Sequence, residues 1–475
     1  MNARHTTRIA LLAGLIAFSG LAHAFDVLRA EQDIFATPAG PMVASCQFAG
    51  APGRPLRLAE AVERALCSNP KTRAAWAAVK AQAAGVGVAR AAYLPTVSAT
   101  WQGVRESSVT DIENHPLLGS DMVSNVQSAS VNANWILFDF GGREAGLKNA
   151  NALLEAAQAM QDATLQNLFA SIAKDYYSYQ AASGALDAAK DVEQMTRESM
   201  TAAQARVDRG IAPVSDALQA QTQHEQAVFS LTKAESDAQI AQGTLASDMN
   251  LDPGVPLDVP PVAEGAVARK TFSASVEQMI RDVQEKHPSV RSALAQYEAS
   301  LAKVSQTRAQ GLPGISLIAK YSRNSAPQSL GLGEATYPAR GHDAFIGVQV
   351  SVPLFEGFSR HYQIDQAKAQ AERQRVALDD TKRQVALDVW TSYQKLTGAT
   401  KNAENSANLL AIARRAWEAS RHRYDAGVGN ILELLNTQAA LANAKQRCAQ
   451  AIADWDNARV DLVSKMGTLG REDIE

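Results

Sequence analysis

A serine and a lysine three residues apart come nearest to a catalytic arrangement in this sequence. Ser230 and Lys233 match the S-x-x-K spacing of serine acyl enzymes. They lie within a helical stretch, and the other sequence boxes of those enzymes are missing. We therefore interpret the pair as part of an ordinary helix surface.

Glycine and histidine patterns do not favour catalysis either. Gly331-Leu-Gly333 lacks the third glycine of a dinucleotide-binding loop, and no helix follows it. The eight histidines form no pair with the spacing of metal ligands in a plausible site. The sequence therefore predicts a protein that is not an enzyme and that holds no cofactor and no metal.

The composition limits the possible partners. A length of 475 residues suggests two or three domains, and 46% hydrophobic residues allow a sizeable core. The net charge of -3 is close to neutral, and no basic patch that could follow a phosphate backbone is visible. We expect no nucleic-acid partner.

The N-terminus has the pattern of a secretory signal peptide over residues 1–24. A basic start is followed by an apolar run, 9–21, and by the A-x-A cleavage motif of residues 22–24. The run is too short to span a membrane, which takes roughly 20 residues. No later stretch of 18 apolar residues exists, so we exclude a helical membrane protein, whereas a transmembrane β-barrel stays possible.

The cysteines predict one disulfide. An exported protein can keep disulfides, and three cysteines leave one unpaired. Cys448 is isolated near the C-terminus, so we expect a bond between Cys46 and Cys67 that pins the N-terminal segment to the first helix.

The chain repeats itself at a spacing of 217 or 218 residues, which indicates two copies of one structural unit. The matching pairs include Pro70 and Pro288, Pro95 and Pro313, Arg143 and Arg360, Gly210 and Gly427, and Gln221 and Gln438. The predicted divisions are a flexible N-terminal segment, 25–57; repeat 1, 58–250; a linker, 251–274; repeat 2, 275–466; and a C-terminal tail, 467–475.

Each repeat has the same predicted order of elements: a helix, a β-hairpin, a very long helix and a last helix. A proline after the first helix and a glycine after the long helix mark their ends. In repeat 1 the elements are 58–92, 96–138, 143–208 and 214–250, with the turn at Gly210. In repeat 2 they are 275–310, 314–353, 360–425 and 430–466, with the turn at Gly427.

The hairpin segments alternate between apolar and polar residues. In segment 126–138, for example, Val131, Trp135 and Leu137 fall on one face, with serine and asparagine on the other. The four segments predict strands of about ten residues, the length that crosses a bilayer at a tilt. A soluble hairpin would explain any single segment, but four in duplicated positions behind a signal peptide favour a membrane sheet.

The long helices indicate a structure that spans a gap. Sixty-six residues at 1.5 Å each extend over about 100 Å. Their apolar residues recur at steps of three and four, which is typical of a coiled-coil seam.

This organisation resembles the TolC family of outer-membrane export proteins. The resemblance covers the chain from Leu58 to the end, and its motifs are the turn at 424–431 and the terminal segment 467–474. It implies a mainly α fold with membrane β structure: a trimeric, TolC-like α-barrel joined to a shared 12-stranded transmembrane β-barrel, with four strands per chain and two internal repeats. Four strands cannot close a barrel alone, and an open edge is not viable in lipid.

The resemblance also implies a location and partners. Such a protein lies in the outer membrane, contacts outer-membrane lipid and extends into the periplasm as a homotrimer. It receives cargo from a periplasmic adaptor, or membrane fusion protein, and an inner-membrane ABC transporter. Type I secretion of a protein toxin is favoured because no lipidation cysteine follows the signal peptide. The alternatives are a multidrug efflux outer-membrane factor and a periplasmic coiled-coil adaptor that is not a channel.

The family's periplasmic gate can be placed on this sequence. The resemblance implies that Tyr424 is tied to Asp216 across the two turns, and that Glu433 faces the constriction, where its carboxylates favour cations. Gly429 stands where the family has an arginine that holds the closed state, and Asn436 where it has a second acidic residue. The plain alternative is that Tyr424 and Asp216 are ordinary turn and capping residues and that Glu433 is a solvated surface carboxylate.

Overall fold

The structure is a computed structural model that describes residues 55–115, 118–261, 275–325, 328–329, 336–337 and 339–468. The predicted signal peptide, Cys46 and most of the predicted N-terminal segment lie outside the described residues.

The two repeats fold into the same series of elements, with four pairs of helices of equal length. Repeat 1 consists of α1 (Leu58–Ser68), α2 (Pro70–Ala91), β1 (Thr96–Thr110), β2 (Ser120–Phe138), α3 (Gly142–Asp208) and α4 (Val214–Asp248). Repeat 2 consists of α5 (Val276–Lys286), α6 (Pro288–Ala309), β3 (Gly314–Ser325), β4 (Gln328–Ser329), β5 (Thr336–Tyr337), β6 (Gly341–Ser351), α7 (Ser359–Asp425) and α8 (Ile431–Lys465).

The first predicted helix of each repeat is two helices in the structure. Asn69, before Pro70, has an extended backbone with ψ 132°, and its side chain accepts a hydrogen bond from the N–H of Lys71 at 2.9 Å. His287, before Pro288, also has an extended backbone, and its Nδ1 atom accepts a hydrogen bond from the N–H of Ser289 at 3.2 Å. Proline restricts the preceding residue and suits the first helical position, so the break follows from the sequence.

Parts of the predicted flexible segment and linker are ordered against α3. Leu56 is fully buried, and its N–H donates to the carbonyl of Asp258 at 2.7 Å. The hydroxyl of Tyr179 donates to the carbonyl of Leu257 at 2.7 Å, and that of Tyr176 to the carbonyl of Leu56 at 3.0 Å. Burial raises the pKa of Tyr176 to about 12. Residues 262–274 lie outside the described part of the chain.

The four long strands form one antiparallel sheet in the order β1-β2-β3-β6. The register places Ala99 opposite Val131, Val131 opposite Tyr321 and Tyr321 opposite Ala344, so the apolar positions of all four strands share a face. Large apolar side chains on this face are exposed. The strands have 11 to 19 residues, longer than expected in repeat 1, where polar residues continue the pairing beyond the clear alternation.

The chain forms two compact units. One contains the sheet, within residues 80–155 and 295–375, and a small apolar core of Val304, Ala367 and Ala371. The other contains residues 156–294 and 376–468, together with 55–79, and it holds both turns between the long helices and the helices that follow them. None of the helices in the described ranges is long and apolar enough to cross a bilayer.

Candidate functional site at the two helical tips

The helical hairpins end in two equivalent turns. The first hairpin is α3 and α4, and its tip is residues 209–213; the second is α7 and α8, and its tip is residues 426–430. Gly210 has φ +69° and Gly427 φ +76°, a region in which glycine carries no steric penalty. Both tips have Schellman hydrogen bonds: Gly210 to Val207, Ile211 to Arg206, Gly427 to Tyr424 and Val428 to Arg423.

The second tip is closed by its own side chains. Asn430 caps α8 by accepting a hydrogen bond from the N–H of Leu432 at 2.9 Å. Arg423, near the end of α7, pairs with Glu433, in the first turn of α8, at 3.2 Å. The charges suit the helix dipoles, with the cation at a C-terminus and the anion at an N-terminus.

Gly429 fits this tip for a steric reason. A Cβ atom there would lie 2.7 Å from the backbone nitrogen of Tyr424 and 2.9 Å from the carbonyl carbon of Arg423. The N–H of Gly429 also donates to the carbonyl of Arg423 at 2.9 Å. An arginine at this position would push the turn away from the end of α7. Glycine instead allows the turn to pack closely against the end of that helix.

The first tip lacks the equivalent closure. α4 follows Pro213, which provides no side-chain cap. Arg206 and Asp216 correspond to Arg423 and Glu433 at the repeat spacing of 217 residues, yet the described ion pairs include none between them. The Asp216 carboxylate accepts only a long hydrogen bond, 3.4 Å, from the hydroxyl of Ser215 among the described residues.

Arg206 instead reaches the second hairpin. Its Nη2 atom donates to the carbonyl oxygen of Tyr424 at 2.6 Å, and its guanidinium carbon lies 4.0 Å from the centre of the Tyr424 ring. This combines a charge-assisted hydrogen bond at the C-terminus of α7 with a cation–π contact. Arg206 therefore joins the two hairpins at their tips.

Tyr424 is the buried centre of this site. Its side chain packs among Ala203, Ala220, Ile431, Leu434 and Leu435 and is 5% exposed. Burial raises its pKa; the charges of Asp216 and Asp425 act in the same direction, and that of Arg206 opposes them.

The structure gives Tyr424 a different partner from the expected one. The described hydrogen bonds include none between the Tyr424 hydroxyl and Asp216, although Asp216 is close enough to act on it electrostatically. The part of Tyr424 that bridges the hairpins is its ring and carbonyl, and the partner is Arg206. The repeat spacing marks Arg206 as the equivalent of Arg423 but does not indicate a contact with Tyr424.

The remaining expected gate residues lie on the exposed side of α8. Glu433 is partly exposed and pairs with Arg423, and Asn436 is exposed. Their place at a constriction concerns an assembly of several chains and stays a prediction.

Two further contacts join the hairpins above the tips. The Gln438 side chain, 3% exposed, donates to the hydroxyl of Ser199 at 2.8 Å, and Lys445 pairs with Asp191 at 2.6 Å. Both run between α8 and α3.

The first hairpin contains a buried polar cluster of its own. Glu193 is 8% exposed, pairs with Arg197 at 2.6 Å and lies 3.8 Å from Nδ1 of His224 on α4. The equivalent positions in the second hairpin, 217 residues on, are Leu410 and Leu441, which belong to an apolar core.

A second polar difference lies farther from the tips. Burial, followed by a hydrogen bond to and repulsion from Asp248, raises the pKa of Asp175 to about 7. In repeat 2 the equivalent of Asp175 is Ser392, whose hydroxyl donates to Asp461 at 2.8 Å. The equivalent of Asp248 is Lys465, which pairs with Asp388 at 3.3 Å.

The other residues singled out in the sequence have structural partners. Ser230 donates to the carbonyl of Gln226 at 2.9 Å, and Lys233 pairs with Asp237 at 3.2 Å. Cys67 is disulfide-bonded and Cys448 is a buried free thiol. Because Cys46 lies outside the described residues, the Cys46–Cys67 pairing stays a prediction.

Known proteins share both the sequence pattern and the fold. The family model "Outer membrane efflux protein" matches residues 61–250 and 279–468, one segment in each repeat. The chain is 32% identical to Protein CyaE of Bordetella pertussis, over 88% of this chain and 86% of that protein. It is 26% identical to the alkaline protease secretion protein AprF of Pseudomonas aeruginosa, with the same coverage.

Solved structures agree in fold. The Campylobacter jejuni CmeC outer membrane channel matches with a TM-score of 0.75 at 16% identity, over 86% of this chain and 85% of that one. The outer membrane protein VceC of Vibrio cholerae matches with a TM-score of 0.71 at 17% identity, over 86% and 96%. The expected fold class, mainly α with four strands per chain, is thereby confirmed, and the chain belongs to the outer membrane efflux protein family.

Proposed function

We propose that this chain is the outer-membrane exit duct of a tripartite export system and that it works as a homotrimer. The observation that carries the proposal is the sheet, in which four long strands share an exposed apolar face and β1 and β6 are the outer strands. Outer strands in lipid need pairing partners, because unpaired backbone groups there are costly. Three copies supply twelve strands, above the eight or so of the smallest membrane barrels.

The mass of the assembly tests this. Native mass measurement of the detergent-extracted protein should give three copies, and the same material should form pores in planar bilayers. A stable monomer, or a trimer without conductance, would contradict the proposal.

The first hairpin offers a surface for the periplasmic adaptor. Ile211, Val214, Leu218 and Phe229 are between 58% and 74% exposed and lie along one stripe of α4 and its preceding turn. Residues 211, 214 and 218 are three and four apart, and residue 229 lies eleven further on, about three helical turns along the same face. This spacing suits a partner helix. Leu218→Gln together with Phe229→Gln should abolish co-purification with the adaptor and leave the trimer intact. Loss of the trimer would assign the stripe to contacts between copies.

A protein cargo, carried by an inner-membrane ABC transporter in type I secretion, is the favoured use of the duct. The similarity to a relative named for alkaline protease secretion supports it. Deletion of the gene should remove one protein, such as a toxin, from the culture medium and leave dye accumulation unchanged. The opposite pattern would favour multidrug efflux; a relative from Brucella suis, 23% identical, is named outer membrane efflux protein BepC.

A further inference from the structure

The apolar face of the sheet ends in a row of residues that carries positive charge. The register aligns Trp101 with Ala129, Ala129 with Arg323, and Arg323 with His342. Each of these residues is two positions from a member of the apolar row described above, so the new row lies on the same face. Trp101, Arg323 and His342 are exposed. We call Trp101, Ala129, Arg323 and His342 the outer row.

The outer row lies towards the end of the sheet that is far from the helices. Helices precede β1 and β3 and follow β2 and β6, so all four helical connections are at the opposite end. In an outer-membrane channel whose helices extend into the periplasm, the outer row therefore faces the outer leaflet. From Ile315 to Arg323 is eight positions of β3, or about 27 Å along the strand and about 21 Å across the membrane at a tilt near 40°. The apolar band of such barrels is about 25 Å tall, so the row lies near its outer boundary.

The positive charges of the outer row have no anion beside them in the described part of the chain. Neither Arg323 nor His342 makes an ion pair or a side-chain hydrogen bond with another described residue. Asp343, next to His342, lies on the opposite face, where it accepts a hydrogen bond from a serine of β3 at 3.4 Å. Within the four long strands, the acidic residue that shares the face is Asp121, which is eight positions from Ala129 along β2, or about 27 Å.

An anion bound here would relieve repulsion within the sheet. Arg323 and His342 are directly opposite each other in an antiparallel pair. Like charges at such positions are destabilising, and His342 adds its charge whenever it is protonated. Arg105 lies four positions beyond Trp101 on the same face, and Arg340 comes just before β6. The outer end of this face is therefore a positive surface.

We propose that the outer row binds the phosphate group of an anionic glycolipid in the outer leaflet of the membrane. The guanidinium of Arg323 binds two phosphate oxygens at once through its planar N–H groups, and the His342 ring donates a further hydrogen bond. The small side chain of Ala129 leaves a depression between Trp101 and Arg323, which are two strand spacings, or about 10 Å, apart. This inference rests on the proposed function, because the face meets lipid only in a membrane barrel.

The rest of the face suits the other parts of such a lipid. An indole ring is at home at the boundary between headgroups and acyl chains, which is the level of Trp101. Below it, the apolar rows that contain Tyr321 and Ile346 are exposed and would contact the acyl chains. A lipid therefore gains contacts that a free phosphate ion cannot make.

Native mass spectra of the detergent-extracted trimer, titrated with bisphosphorylated lipid A, test the site by counting bound lipids. The variants are Arg323→Gln, His342→Gln and the two combined. Lys320→Gln is the matched control, because it removes one positive charge from the opposite face of the same strand. The same lipid without its phosphates, and inorganic phosphate as a competitor, identify the group that is bound.

We expect Arg323→Gln to weaken binding of the phosphorylated lipid at least threefold and the combined variant at least tenfold, with Lys320→Gln within twofold of wild type. The lipid without phosphates should bind wild type as weakly as the phosphorylated lipid binds the combined variant. Millimolar inorganic phosphate should leave the lipid bound, because the free ion lacks the acyl-chain contacts.

Equal affinities of Arg323→Gln and Lys320→Gln, or of the lipid with and without phosphates, would overturn the site. Complete displacement by inorganic phosphate would assign the outer row to a free anion and overturn the lipid. Conductance in planar bilayers separates these results from failure of the channel itself. A wild-type trimer that conducts but shows equal lipid affinities overturns only the lipid site, whereas a wild-type trimer without conductance overturns the proposed function.

Discussion

The first and second hairpins share helix lengths, Schellman hydrogen bonds at their tips and repeat position but differ in what stabilises them. The second hairpin is closed by its own contacts: the Asn430 cap, the Arg423–Glu433 pair and an apolar core around Leu410 and Leu441. The first hairpin has an uncapped α4, a buried Glu193 beside His224, and an arginine that binds the other hairpin. The first hairpin therefore depends on the second for its position at the tip.

Removal of the Tyr424 side chain should have the largest effect, because the ring is the centre of the contact between hairpins. Tyr424→Ala should cost about 3–5 kcal/mol of unfolding free energy, the usual range for a buried aromatic residue. Denaturant unfolding of the detergent-extracted trimer measures it. Tyr424→Phe is the matched control and should cost less than about 1 kcal/mol, because the ring and carbonyl remain. Equal losses would show that the hydroxyl carries the contact.

The polar cluster of the first hairpin can be replaced by its apolar equivalent. Glu193→Leu with His224→Leu reproduces the pair found at Leu410 and Leu441. Exchanging buried charged groups for packed apolar ones is often neutral or stabilising by 1–4 kcal/mol, and we expect about 1–2 kcal/mol here. Unfolding by urea measures the gain. A loss of stability would show that the cluster is structurally required.

The two neighbouring carboxylates of repeat 1 should make its stability depend on pH. The pKa of Asp175 is raised to about 7 in the folded protein, so its favourable contribution is present below the unfolded value near 4 and is lost as the pH rises through about 7. Asp248→Lys copies Lys465 and should reduce this loss, because it removes the contribution of Asp248 to the raised pKa but leaves that of burial. The gain should be below about 1 kcal/mol because the charges are partly exposed. Melting temperatures of both proteins at pH 5 and pH 8 test this. Parallel pH profiles would exclude the pair as the cause.

The smallest stability change is expected for Glu433, whose pair with Arg423 is exposed and worth about 0–1 kcal/mol. Glu433→Gln also removes the negative charge that pairs with Arg423, so that the positive charge of Arg423 is no longer balanced. Reversal-potential measurements should therefore show a shift from cation towards anion preference. Unchanged selectivity would place Glu433 away from the narrowest part of the pore.

The helices and strands could be predicted from the sequence where the pattern that marks them lies within the element itself. Glycines 210 and 427 end long helices with clear apolar periodicity, and alternation marks the four strands. The predicted helix 58–92 is wrong in one respect, since it breaks before Pro70, where the residue before proline avoids the α region and the Asn69 side chain accepts a hydrogen bond from the N–H of Lys71. The partner of Tyr424 could not be predicted, since Arg206 and Tyr424 are 218 residues apart and meet only through the packing of two hairpins.

A pair of double-mutant cycles tests most directly whether the first hairpin is held by the second. One cycle combines Arg206→Gln with Tyr424→Leu, and the other combines Arg423→Gln with Glu433→Gln, both measured as unfolding free energies of the trimer. We expect a coupling free energy of about 1–2 kcal/mol between the hairpins, as for a desolvated cation–π contact, and less than about 1 kcal/mol within the second tip. Equal couplings, or the reverse order, would contradict it.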